Sequence, residues 1–287
     1  MGERDLPVDD RGLALRLCEW GAVDTHLAGR PVVILHGFLE QGAAWDRVAR
    51  GLGRWVVAPD QRGHGRSGHV GAGGWYHFWD YVGDLDALVA HVRASSGGAP
   101  VDLVGHSMGG TVAALFAGAR PEAVRRLVLV EGLGPPDTTD TAVDRARQYL
   151  DHRRRPPVHG PLRDAADGAA RIRKFNPEIP EAVADALAER ITAPDGDGVR
   201  WTWDPLHRGR APNPFEAAIF VRFLREITAP TLVIDGGRTS FVVADAPERA
   251  AAIRDARRVV IPDAGHLVHH DAPDALADEI RRFLEET

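Results

Sequence analysis

One stretch constrains the fold more than any other: Val101-Asp102-Leu103-Val104-Gly105-His106-Ser107-Met108-Gly109-Gly110. A short apolar run enters Gly-His-Ser-Met-Gly, and Val112, Leu115, Phe116 and Ala119 then recur at helical spacing. A Gly-x-Ser-x-Gly turn between a strand and a helix is the pattern of a nucleophile elbow. Such a turn holds its serine in a strained conformation, and Gly105 and Gly109 keep side chains out of the way. Ser107 then stands at a helix N-terminus, where free N–H groups favour a developing oxyanion. The bland alternative is a chance match in a loop, and the flanking strand and helix argue against it.

The same alternation extends along the chain. Pro31–Leu35 and Trp55–Ala58 are continuous apolar runs of strand length, as expected for parallel strands covered on both faces. Residues 11–20 alternate in polarity like a half-buried strand. Helices are expected over 43–52 and 76–92, followed by the elbow strand, its helix, and a strand over Arg126–Glu131. The alternation then stops. Residues 135–212 read as helical pieces (141–152, 164–174, 180–191) between loops rich in Pro and Gly. A helix over 213–227, strands over 231–235 and 257–261, and a last helix from Pro273 resume the pattern. Strands alternating with helices imply a doubly wound, mostly parallel sheet, and ligands bind such sheets beyond the carboxyl ends of the strands. His36, Asp60, Ser107 and Glu131 all fall at such ends.

Composition narrows the partners. With 287 residues, 44% hydrophobic and 26% charged, the chain can bury a full core. The net charge of -6 and the lack of a long basic block argue against nucleic acid. Cys18 is the single cysteine, so an intramolecular disulfide and a cysteine-based zinc site are both excluded. The polar N-terminus lacks the apolar segment of a signal peptide, and no run reaches membrane-helix length, so a cytoplasmic location without a membrane partner is the default expectation. A monomer or homodimer is expected.

The chain resembles the α/β-hydrolase fold family over nearly its whole length. The resemblance is carried by His36-Gly37-Phe38, Asp60-Gln61-Arg62-Gly63-His64-Gly65-Arg66-Ser67, Gly105-His106-Ser107-Met108-Gly109-Gly110 and Ala264-Gly265-His266, in the family's order. Within that family it is similar to capped serine hydrolases. Arg200-Trp201-Thr202-Trp203-Asp204-Pro205 and Glu131-Gly132-Leu133-Gly134-Pro135-Pro136 are similar to a "serine hydrolase-like" branch. The resemblance implies a core of residues 1–134 and 213–287 with a helical cap at 135–212. It also implies cleavage of esters, lactones, thioesters, amides or carbon–carbon bonds with no cofactor and no metal.

Serine attack at neutral pH needs a base within hydrogen-bond reach and an acid behind that base. The resemblance puts the base at His266, after the final strand; His36 and His106 read as structural, and His269 and His270 as surface or rim residues. The acid departs from the common pattern. Relatives carry Asp in a Gly-x-x-Asp turn after the strand ending at Asp235, and here Thr239 stands at that place. Glu131, at the end of the strand beside Ser107, is the first candidate, since some relatives place their acid there. Asp235 and a triad lacking its acid are the alternatives. The oxyanion hole would be the backbone N–H groups of Phe38 and Met108. Leu39, Leu133, Trp201 and Trp203 are candidate pocket walls, which points to a small hydrophobic substrate. The leading expectation is a serine hydrolase of hydrophobic carboxylic esters or lactones. Carbon–carbon bond hydrolysis or acyl transfer on the same residues, and a ligand-binding protein with weakened catalysis, remain open.

Overall fold

The computed structural model describes residues 1–8, 12–21, 30–177, 179–241 and 243–286. Its strands are β1 (Gly2–Pro7), β2 (Ala14–Trp20), β3 (Val32–Leu35), β4 (Val56–Pro59), β5 (Val101–His106), β6 (Val124–Val130), β7 (Thr192–Asp195), β8 (Gly198–Trp201), β9 (Thr231–Gly236) and β10 (Ala256–Ile261). Its helices are α1 (Asp46–Gly51), α2 (Phe78–Ser95), α3 (Met108–Ala119), α4 (Ala142–Arg154), α5 (Ala165–Phe175), α6 (Glu181–Ile191), α7 (Ala217–Glu226), α8 (Ala246–Ala252), α9 (Val268–Asp271) and α10 (Pro273–Glu285).

Eight strands form one sheet in the order β1-β2-β4-β3-β5-β6-β9-β10. β2 pairs antiparallel with both neighbours, and every other pairing is parallel. The apolar runs at the centre are buried on both faces, as their lack of alternation requires. Side chains along β5 still alternate between two cores. Val101 and Leu103 join Leu85, Phe116, Phe220 and Leu224 under α2, α3 and α7. Val104 joins Trp45, Val48, Leu276, Ile280 and Phe283 under α1 and α10.

Between β6 and α7 the chain leaves the sheet. The segment has its own apolar cluster, built from Leu162, Ala169, Ala184, Leu187, Ile191, Trp201 and Trp203. It is tied to the sheet side by Tyr76 donating to Asp204 Oδ2 at 2.7 Å and by Asp204 N–H donating to the Gly63 carbonyl at 2.8 Å. None of the described helices is long and apolar enough to cross a membrane.

Several expectations need adjustment. β1 was not anticipated, because Gly2–Pro7 is mostly exposed and polar, and only pairing with β2 makes it a strand. The strand expected over 11–20 begins at Ala14, and Arg11 lies outside the described residues. The hairpin β7–β8 lies where only loop was expected. Its turn, Asp195-Gly196-Asp197-Gly198, carries a hairpin signal, with Gly196 at φ 57°. The helix expected from 213 begins at Ala217, after Pro214.

Candidate active site

Ser107 sits between β5 and α3 at φ 50°, ψ −115°, a conformation that costs an L-residue about 1–3 kcal/mol. Close packing enforces it. A Cβ on Gly105 would lie 2.5 Å from the Gly109 carbonyl oxygen, and one on Gly109 would lie 2.5 Å from the Leu35 carbonyl oxygen. Among the described residues, the non-glycine positions with positive φ are Leu39, Ser107 and Glu131. Glu131 is the first residue beyond β6, at φ 51°, with its N–H held by the Ile234 carbonyl at 2.8 Å. Strain at both Ser107 and Glu131 is therefore built by the fold around one point.

His266 arrives at that point from the loop after β10. Its Nε2 lies 3.0 Å from Ser107 Oγ, and its Nδ1 lies 3.0 Å from Glu131 Oε2. A carboxylate only accepts, so Nδ1 carries the proton and Nε2 is free to accept from the serine hydroxyl. Glu131 is buried, and its oxygens are occupied twice more. Gly236 N–H donates to Oε1 at 2.7 Å, and Thr239 Oγ1–H donates to Oε2 at 2.8 Å. The threonine that replaces the usual aspartate thus orients the carboxylate from the turn after β9. Asp235 points elsewhere and pairs with Arg258 at 2.5 Å. Thr239→Val keeps the branched shape and removes the donor. A hydrogen bond to a charged group contributes about 1.5–3 kcal/mol, so ester kcat/KM should fall about tenfold. An unchanged value in steady-state assays would show that this hydroxyl plays no part.

The turn before the site is equally fixed. Gly37 N–H donates to Glu40 Oε2 at 2.8 Å and Leu39 N–H donates to His64 Nε2 at 3.2 Å, one on each side of Phe38. Met108 opens α3, so its N–H has no acceptor within the helix.

Behind the elbow lies a cluster that sequence reading missed. Glu40, His106 and His269 are all buried. Glu40 accepts from His106 Nδ1 at 3.1 Å and from His269 Nε2 at 2.8 Å. His106 Nε2 in turn donates to the His266 carbonyl at 2.9 Å. Both nitrogens of His106 therefore face acceptors, which makes its ring an imidazolium paired with the Glu40 carboxylate. Burial opposes both charges. The pairing outweighs it, raising the His106 pKa and holding Glu40 well below the usual carboxylate range. The three residues have the types and spacing of a metal site. Both Glu40 oxygens are already taken by N–H donors, so the arrangement reads as a hydrogen-bond network. His269, expected at the surface, is a core residue stacked on Trp45 at 4.5 Å.

Burial also lowers the pKa of His269 to about 3 and of His207 to about 4. Both are neutral when folded and gain a proton on unfolding below about pH 6.5, so they stabilise the fold at neutral pH and lose that contribution in acid. His106 works in the opposite direction, and Glu40 adds acid sensitivity below about pH 4.5. Two such histidines cost about 4 kcal/mol between pH 6.5 and 5, at about 1.4 kcal/mol per proton and pH unit. Offset in part by His106, this loss should leave Tm lower by several degrees at pH 5 than at pH 7.5 in thermal melts. A flat profile would contradict the neutral, buried state of these rings.

Ser107 opens into a cavity of about 640 Å³, a usual size for a small-molecule site. Phe38, Met108, Leu115, Phe215 and Phe220 give it apolar walls, and Tyr76 and His207 line it from beside the 60–68 loop. The expected pocket residues do not line this cavity. Leu133 is packed in the core under α3, and Leu39, Trp201 and Trp203 pack in the separate cluster of the insertion. The two indoles pack against each other, with ring centroids 5.8 Å apart.

A doubly wound sheet with a serine elbow and a histidine loop defines an α/β hydrolase, and residues 32–279 match the alpha/beta hydrolase family. The chain belongs to that family. It is 27% identical over 273 residues to a serine hydrolase-like protein of Danio rerio, covering 90% of this chain and 82% of that protein. It is 30% identical over 266 residues to lipase LipV of Mycobacterium tuberculosis, covering 88% and 92%. Among solved structures it is similar to the thioesterase domain from the curacin biosynthetic pathway, with TM-score 0.81, 33% identity and 98% of each chain covered.

Proposed function

We propose that the chain is a serine hydrolase that cleaves a carboxylic ester or lactone with a largely apolar acyl portion, through an acyl-enzyme on Ser107. The unbroken line from Ser107 Oγ through His266 to Glu131, with 3.0 Å at each step, carries this reading. Ser107 Oγ attacks the carbonyl carbon as His266 Nε2 takes its proton. Glu131 holds Nδ1–H and stabilises the imidazolium. The tetrahedral oxyanion is met by the N–H groups of Met108 and Phe38. His266 returns the proton to the leaving oxygen, and water then attacks the acyl-enzyme with His266 again as base. Residues 135–212 serve as a cap over the strand ends, and the lipase name of a relative supports ester chemistry. A second reading, thioester cleavage on the same residues, is favoured by the likeness to a thioesterase domain. A fluorophosphonate probe tests the nucleophile. One adduct per chain, mapped to the Ser107 peptide and lost in Ser107→Ala, is expected. An unlabelled wild type would instead favour a ligand-binding protein on this fold.

A further inference from the structure

Two arginines in the lining of the Ser107 cavity, the half-buried Arg145 and the exposed Arg210, have no counter-ion among the described residues. Arg145 lies on α4, and Arg210 follows the turn Pro205–Arg208, so both come from the insertion. Among the described residues neither makes an ion pair or a side-chain hydrogen bond, and Arg145 Nε is buried without a partner. The contrast with Arg62 is clear: it binds Asp84 through two bonds of 2.5 and 2.6 Å. Two carboxylates also line the cavity. Glu131 is committed to His266, Thr239 and Gly236, and the exposed Glu216 pairs with neither arginine. Burial and the nearby charge of Arg210 both hold the Arg145 guanidinium below its ordinary pKa. A buried, unpaired N–H on a charged group is costly, and two guanidinium groups facing one space repel each other. One bound anion would relieve both costs, and guanidinium geometry suits oxyanions.

We propose that Arg145 and Arg210 form an anion-recognition subsite of the Ser107 cavity. The favoured substrate is then an otherwise apolar acyl ester or thioester with a carboxylate, phosphate or sulfate group away from the scissile carbonyl. This rests on Ser107 being the nucleophile. The anion could belong to the acyl chain or to the leaving group, and matched pairs separate the two. For the acyl side, 4-nitrophenyl hydrogen adipate is compared with 4-nitrophenyl hexanoate. For the leaving group, hexanoyl-coenzyme A is compared with hexanoyl-N-acetylcysteamine. In one pair the anionic member should have about tenfold higher kcat/KM, as a charge-assisted contact gives. In Arg145→Gln/Arg210→Gln that preference should vanish, the ratio of kcat/KM for the anionic to the neutral member falling to about one. No preference in either pair, a preference that survives the double substitution, or an equal loss on charged and neutral substrates would overturn the proposal. Calorimetric titration of Ser107→Ala with hexylphosphonate and with hexanol needs no turnover. The phosphonate should bind about tenfold tighter, with the difference abolished by the two arginine substitutions. Equal binding sinks the subsite even where neutral esters are still hydrolysed by wild type, which leaves the serine-hydrolase reading standing. Phosphonate selectivity without ester turnover sinks that reading instead.

Discussion

Ser107→Ala should lower kcat for a 4-nitrophenyl ester by about 10⁶-fold, the scale on which triad members act as a unit. In the proposed mechanism the serine supplies the oxygen of the acyl-enzyme, and among the described residues His266 Nε2 is aimed at no hydroxyl other than Ser107 Oγ, 3.0 Å away. The residual rate would come from the oxyanion donors and from substrate binding alone. His266→Ala should cost a similar factor, and the double variant should be no worse than either single one, since each already breaks the same relay. Fold integrity is checked by near-ultraviolet circular dichroism, where alanine at 107 changes little because it keeps the backbone at φ 50°. Retention of more than about 1% of kcat in Ser107→Ala would remove the serine from the mechanism.

Glu131→Gln should lower kcat by about 10⁴-fold, whereas Asp235→Asn should change it less than about twofold. The amide keeps the size of the carboxylate but not its role. It cannot stabilise the imidazolium, and an NH₂ turned toward His266 would favour the wrong ring tautomer. It would also leave Thr239 and Gly236 N–H competing for a single carbonyl oxygen in place of two carboxylate oxygens. Asp235 is 18% exposed and bound to Arg258, so its neutralisation removes a surface ion pair of small value. The reverse ranking, measured on one ester under saturating conditions, would transfer the acid to Asp235.

Much of this is legible in the amino-acid sequence. The central strands announce themselves because burial on both faces forces continuous apolar runs, and the elbow because only glycine tolerates contacts of 2.5 Å at positions 105 and 109. Glu131 stands out in the sequence as a candidate acid because Thr239 breaks the usual pattern. That Thr239 would hold the carboxylate was not readable, since the contact spans 108 positions in sequence. Glu40 was missed for the same reason. In Phe38-Leu39-Glu40-Gln41 it looks like a surface residue, and its burial is decided by His269, 229 positions away. The pocket walls failed differently. Tryptophans in an insertion can serve either a ligand or each other, and here Trp201 and Trp203 are spent on holding the insertion together.

The placement of Glu131 changes what must stay aligned. Ser107 and Glu131 are borne by adjacent strands, and Ser107 N–H is itself bonded to the Val130 carbonyl at 3.0 Å. The proposed nucleophile and acid therefore travel as one rigid block. Only the segment carrying His266 is a separate part, pinned from below by His106 and by Gly265 N–H donating to Asp271 Oδ2 at 2.7 Å. An enzyme with its acid on a second loop has two hinges to keep in tune; this one has a single latch, and loosening that latch would switch the relay off while the rest of the scaffold stayed intact.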